Sequence, residues 1–221
     1  MTKAKHKSES ILKAEDIQVF FSKLREIDPE PKSDLDYTNS FTLLVAVVLS
    51  AQSTDAGVNK ATKALFKDVD TPQKMLDLGL EQLKEHIKTI GLYNNKAKNV
   101  IALSQILVDE YSGDIPDTRE GLMSLPGVGR KTANVVLNVA YQQPTMAVDT
   151  HIFRVSNRTG LAPGKNPDEV EQNLLKVVPE EFGLHAHHWL ILLGRYTCKA
   201  RKPDCGKCPI IDICKFEEKT I

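Results

Sequence analysis

The run Leu125-Pro126-Gly127-Val128-Gly129-Arg130-Lys131-Thr132-Ala133 constrains this chain more than any other segment. Gly127 and Gly129 permit positive φ and close approach of backbone to a ligand. Pro126 presets φ at the start of the turn and removes one donor. A helical pattern follows at once. The first-turn amides of that helix point outward together, and its dipole adds roughly half a positive charge. Such a terminus is an anion site. It suits one phosphodiester oxygen and carries no base information. A tight helix-to-helix connection without a ligand needs the same glycines, but it does not need Arg130, Lys131 and Thr132. The amine of Lys131 is either a phosphate ligand or a nucleophile.

The rest of the chain reads as helices, which predicts an all-α fold. Ile17, Phe20, Phe21, Leu24 and Ile27 recur at helical spacing. The run Phe41 to Ala51 is apolar, too short to span a bilayer, and reads as a buried helix that Ser40 could cap. Asp55 could cap the next helix, with Val58, Ala61, Leu65 and Phe66 on one face. Leu83, Ile87 and Ile90 lead to the stop signal Gly91. A long helix opens near Asn94 and ends at Gly113. Further helices are expected from Lys131 to Ala140, Thr150 to Asn157, Asp168 to Val177 and Ala186 to Leu193. No segment makes a convincing strand. Pro29 to Asp36 and Gln142 to Pro144 read as crossings between lobes. The basic start, MTKAKHKSES, has no apolar stretch behind it, so it reads as a solvated tail and not a secretory signal. The chain has 221 residues, with 29 basic and 29 acidic, so its formal net charge is zero. Binding to a polyanion would therefore require local clustering of charge.

All four cysteines fall in one C-terminal segment, spaced Cys198-x6-Cys205-x2-Cys208-x5-Cys214. A disulfide framework would spread them through the fold. Clustering favours a metal site in a reducing compartment. The spacing leaves a tetrahedral zinc and a 4Fe–4S cluster both open. Between the first two cysteines stand Lys199, Arg201 and Lys202, with Arg195 and Lys207 alongside, the densest basic patch in the chain. His185, His187 and His188 lie nearby. With four cysteines already sufficient, packing or hydrogen bonding is the expected role of these histidines.

LPGVGRKTA resembles the hairpin of the helix-hairpin-helix superfamily of base-excision DNA glycosylases. The resemblance continues through Val148-Asp149-Thr150-His151-Ile152-Phe153-Arg154-Val155, Leu43 to Asp55, Lys88 to Lys96, His187 to Cys198 and the cysteine tail. It covers almost the whole chain and points to the endonuclease III branch. It implies a two-lobed all-α fold. Residues 33–143 would form a six-helix barrel lobe with the hairpin, and residues 1–32 and 144–221 a helical lobe with the cluster loop. It implies a 4Fe–4S cluster on Cys198, Cys205, Cys208 and Cys214.

The implied activity is removal of damaged, oxidised pyrimidines and cleavage of the resulting abasic site by β-elimination. Lys131 stands where the superfamily's bifunctional members carry their nucleophile. Arg130 and the helix N-terminus disfavour a second positive charge beside them, which favours the neutral amine. Asp149 matches the catalytic aspartate, although an Asp before Thr150 is also a favoured helix cap. Gln52 and Leu92 match residues that fill the hole left by a flipped nucleotide. A helix-end polar residue and a core leucine are the plain alternatives for these two. The expected DNA contacts are Gln52, Leu92, Gly127, Val128, Gly129, Arg130, Thr132, Lys199, Arg201 and Lys202. The expected partner is double-stranded DNA with a damaged base or abasic site, bound by a monomer in the cytoplasm at the nucleoid, with no membrane. A non-catalytic DNA-binding module and a glycosylase of adenine-mispair type are the rival readings. The presence of Lys131 argues against the second.

Overall fold

A computed structural model of the chain describes residues 12–220. The basic tail read from MTKAKHKSES lies outside the described residues. Among those described there are eleven α-helices and no strand, which is the all-α fold the sequence predicts. They divide into two compact units. One is Ser33–Gln143, and the other joins the described part of Met1–Lys32 to that of Pro144–Ile221.

The Ser33–Gln143 unit is built around α2 (Ser40–Ser50), in which every residue from Phe41 to Leu49 is buried. A helix with no polar face can be stable only when neighbours surround it. Here α3 (Asp55–Asp68), α6 (Tyr93–Tyr111) and α8 (Arg130–Tyr141) pack against it. Its cap is Asn39 and not Ser40. The Asn39 side chain accepts from the Thr42 amide at 2.9 Å, and the Thr42 hydroxyl accepts from the Asn39 amide at 3.0 Å. This reciprocal box satisfies two N–H groups that one serine could not, so Ser40 becomes the first helical residue. The helix α3 likewise starts one residue earlier than expected, on Thr54, whose side chain accepts from the Gly57 amide. Asp55 instead places its charge in the first turn, where the dipole favours it.

Around these lie α4 (Pro72–Leu78), α5 (Leu80–Ile87) and α7 (Arg119–Met123). The helix α4 escaped sequence reading. At seven residues, with only Pro72 and Met75 buried, it has no periodic stripe to detect. It is instead marked by its cap Thr71 and by Pro72 in the first turn.

The other unit holds α1 (Ala14–Ile27), α9 (Thr150–Thr159), α10 (Pro167–Val177) and α11 (Gly183–Leu192). Its core centres on Phe20, Phe21, Phe182 and Trp189, with the Phe21 and Phe182 rings stacked at 5.5 Å. The Trp189 indole donates to the Asp28 carbonyl at 2.7 Å, which pins the end of α1. Past α11 the chain continues as a π-turn, Leu193–Thr197, beyond the helix end read from sequence. Gly194 permits that wider turn to meet α9, since a Cβ there would lie 2.8 Å from the His151 Cβ.

Replacing Asn39 by alanine removes the capping bond from the Thr42 amide and the side-chain bond to the Asp70 carbonyl, and leaves the bond from its own amide to the Thr42 hydroxyl. The expected loss is about 1–2 kcal/mol, read from the shift of the urea midpoint of the folded protein.

Candidate functional site

The hairpin lies between α7 and α8 in the Ser33–Gln143 unit. Leu125 and Val128 are buried and anchor it, and the Val128 amide donates to the Leu125 carbonyl at 3.1 Å. Val128 was expected among the ligand contacts. With its side chain in the core and its amide engaged, it is an anchor for the turn and offers no donor to a phosphate. Gly127 has φ +80°, and a Cβ there would come within 2.8–3.2 Å of the Asn99 side chain. Only this glycine uses the left-handed region. Gly129 is extended at φ −90°, caps α8 without a side-chain bond, and faces open space where a Cβ would stand. The pair therefore splits its work: Gly127 makes the turn, and Gly129 leaves the helix end uncovered. Arg130 and Lys131 are exposed and Thr132 is half-buried in the first turn of α8, while Ala133, Asn134, Val136 and Leu137 turn inward. The first turn of α8 has no side-chain cap, and a helix end of that kind can bind an anion.

Gln52 and Leu92 belong to the same unit and share an uncommon backbone. Both are non-glycine residues in the left-handed region, at φ 55° and φ 59°. Such a conformation costs roughly 1–2 kcal/mol and persists only where the surroundings enforce it. Both side chains are exposed, Leu92 to 59%, so Leu92 is not a core leucine. Their loops adjoin, because a Cβ on Gly91 would lie 4.0 Å from the Gln52 carbonyl oxygen. Below them is a residue that sequence reading passed over. Lys96 is only 5% exposed, and its ammonium donates to the Leu49 carbonyl at 2.9 Å and to the Ser53 hydroxyl at 2.8 Å. Burial pushes its pKa below the ordinary lysine value. A lysine among polar neighbours reads as solvated, so its residue type does not mark it as buried. The one available signal is its position on the same helical stripe as Val100 and Leu103.

Asp149 stands in the other unit as the cap of α9. The amides of His151 and Ile152 both donate to its Oδ1, each at 2.8 Å. The cap occupies one carboxylate oxygen and fixes the rotamer, and Oδ2 takes no part in it.

The same unit contains the cysteines. All four are free and line one small cavity with Thr159, Leu193, Ile210 and Phe216. Among the described residues, no three Cys, His, Asp or Glu side chains are arranged to hold a single metal ion. Zinc would draw four sulfurs to about 2.3 Å from one point. Four thiols around one cavity are a donor set suited to a metal group, and the cavity places all four on its wall. Burial pushes the Cys208 thiol up to about 11, with the neighbouring cysteines Cys214, Cys198 and Cys205 adding to the rise. Burial also raises Cys214. Thiolate ligands at Cys208 and Cys214 would therefore need the positive charge of a bound metal group to hold them deprotonated.

Two arginines on α9, one turn apart, organise the loop that follows Cys198. Arg154 donates to the carbonyls of Cys198 at 2.8 Å and Gly194 at 2.7 Å. Arg158 donates to the carbonyls of Lys199 at 2.7 Å and Ala200 at 2.9 Å, and lies 3.8 Å from the Cys198 sulfur. Its guanidinium also stacks 4.9 Å above the Phe216 ring. Neither role was legible, because the partners are carbonyls more than 39 residues distant in sequence. Lys199, Arg201 and Lys202 are exposed on this loop, and Lys202 has φ 48°. Of the three histidines, His187 is buried and bonds to the Ala147 amide, and His185 packs on Trp189. Both fit the packing role expected of them.

Residues 45–180 match the family of HhH-GPD superfamily base-excision DNA repair proteins, and residues 198–214 match the iron–sulfur binding domain of endonuclease III. The chain is 59% identical to endonuclease III of Escherichia coli over 90% of its own length and 94% of the relative's. Its structure is similar to that of a trapped endonuclease III–DNA covalent intermediate, an estranged-adenine complex. That match has a TM-score of 0.85 and 46% identity, covering 93% of this chain and 97% of the other. A non-covalent endonuclease III–DNA complex matches with the same TM-score at 45% identity, over 93% and 96% of the two chains.

The two hairpin glycines should respond differently to alanine. Gly127→Ala is expected to cost more than about 1 kcal/mol, from strain at positive φ and the clash with Asn99. Gly129→Ala should stay within about 0.5 kcal/mol. Denaturation midpoints of the two variants check this. At the cysteine cavity, Cys208→Ala should abolish the broad visible absorbance of an iron–sulfur cluster and lower the iron content of the purified protein.

Proposed function

Because this chain belongs to the endonuclease III family of helix-hairpin-helix base-excision repair proteins, we propose that Lys131 is its reacting amine and Asp149 the carboxylate that assists it. The chain is a bifunctional DNA N-glycosylase and abasic-site lyase with a 4Fe–4S cluster. The observation that carries the assignment to Lys131 is its exposed position in the uncapped first turn of α8.

The target nucleotide must leave the base stack before chemistry. Amides at the hairpin hold a phosphodiester oxygen, Gln52 hydrogen-bonds the orphaned partner base, and Leu92 enters the stack. The neutral Lys131 amine then attacks C1′ of the deoxyribose. The C1′–N bond to the base breaks, the base leaves with a proton, and the sugar ring opens to an iminium on Lys131. That cation acidifies the C2′ protons. Loss of one of them breaks the C3′–O bond and cuts the strand 3′ to the lesion. Hydrolysis of the remaining imine releases Lys131. Asp149, with Oδ1 held by α9, stabilises the cation developing at C1′ through its charge or accepts the amine's proton.

When bound, the cluster orders its loop and sets Lys199, Arg201 and Lys202 to meet phosphates. Those three side chains and the first turn of α8 supply the local positive charge that a neutral chain needs for DNA. The substrate is double-stranded DNA carrying an oxidised pyrimidine or an abasic site. The enzyme acts as a monomer in the cytoplasm, at the nucleoid. Among the described residues no helix is long and apolar enough to cross a membrane.

Borohydride reduction of the enzyme on abasic-site DNA should trap a covalent adduct. Lys131→Ala should form none while retaining DNA binding, and a persistent adduct would move the nucleophile elsewhere. Asp149→Asn keeps the capping oxygen and removes the charge. It should lower single-turnover base excision by about 10²-fold with little change in melting temperature, and unchanged turnover would leave Asp149 as a cap alone.

A further inference from the structure

We propose that Lys96 is a positioning residue for duplex opening, a buried ammonium that locks the Gln52 loop and the Leu92 loop into one unit. The proposal rests on the reading of Gln52 and Leu92 as the side chains that enter the duplex. Lys96 lies in the first turn of α6, beside the Leu92 loop, and its side chain links that turn to the Gln52 loop. Its backbone amide donates to the Leu92 carbonyl at 3.1 Å. Its side chain reaches back to the Leu49 carbonyl at 2.9 Å and the Ser53 hydroxyl at 2.8 Å, on either side of Gln52. The Ser53 amide in turn donates to the Ser50 carbonyl at 3.0 Å, which closes the turn that carries Gln52.

The chemistry suits a lysine. Leu49 lies in the last turn of α2, where carbonyls lack helical partners and the dipole is negative. An ammonium there offers three donors, enough for the helix end and the loop together. Leu92 caps α6 without a side-chain bond, and its carbonyl accepts from the Asn95 and Lys96 amides of that helix. The Leu92 and Gln52 backbones are both strained in the left-handed region. Two strained, exposed residues on adjoining loops, joined through one buried cation, form a single two-pronged element. A helix cap alone would not require the bond to Ser53.

The test compares single-turnover cleavage of one abasic site in duplex and in single-stranded DNA, because the single strand needs no opening. The holoenzyme is compared with Gln52→Ala, Leu92→Ala, Lys96→Met and Ser53→Ala. The first two define the signature of a lost wedge: a larger fall in cleavage of duplex than of the single strand. Lys96→Met should reproduce it, with duplex cleavage down about tenfold or more and single-strand cleavage within about twofold. It should also abolish the fluorescence change of 2-aminopurine placed opposite the site. Ser53→Ala, which removes one bond and keeps the fold, should lower the duplex-to-single-strand ratio by a smaller factor. Equal loss on both substrates in Lys96→Met, or an unchanged ratio in Ser53→Ala, would overturn the role of Lys96 while the wedge reading stands. An unchanged ratio in Gln52→Ala and Leu92→Ala would overturn the wedge reading itself, and the proposal with it.

Discussion

A helix with no polar face dictates the Ser33–Gln143 unit. From Phe41 to Leu49 every side chain of α2 is buried, so α3, α6 and α8 must pack around it. The backbone groups at its ends lack helical partners, and the buried Leu49 carbonyl needs one from the protein. The Asn39–Thr42 box satisfies the start. Lys96 satisfies the Leu49 carbonyl near the finish, and in doing so reaches the loop that carries Gln52. The demand of a buried helix end for a donor thus fixes the geometry of an exposed loop. Stability and function meet in one side chain.

Strain in this unit is concentrated at its exposed turns. Gln52, Leu92 and Gly127 all take positive φ. The glycine does so without steric cost, while the other two depend on their surroundings. Neither Gln52 nor Leu92 gains core contacts from its conformation, since both side chains project to solvent. Ser112 takes the same backbone at the exposed end of α6, so what sets Gln52 and Leu92 apart is that their loops adjoin. The hairpin follows a different economy. Leu125 and Val128 are buried on one side, which leaves the uncapped start of α8 on the other.

The second unit solves a different problem. Its C-terminal loop has too few apolar residues to fold by burial, and two of its thiols, Cys208 and Cys214, lie where burial opposes their ionisation. Iron supplies the missing charge. The protein's own contribution is the pair Arg154 and Arg158, whose guanidinium forks bind loop carbonyls in fixed directions. Lysines would not hold two carbonyls with the same rigidity. Arg158 also brings positive charge to the Cys198 sulfur.

The sequence by itself determined the helical architecture, because apolar spacing near 3.6 residues is a local pattern that survives without knowledge of the fold. It also determined the hairpin, the four-cysteine segment and the family, because each is carried by contiguous residue types. Two helix starts fell one residue off, at Ser40 and Asp55, because the caps Asn39 and Thr54 compete with equally plausible neighbours and only three-dimensional geometry chooses. Val128 looked like a ligand contact because it sits between two glycines, and the tertiary structure turned it inward to the core. The same structure decided what Lys96, Arg154 and Arg158 do. Their partners are backbone carbonyls distant in the chain, and every residue has a carbonyl. No residue type announces such a partner, so only the fold brings donor and acceptor together.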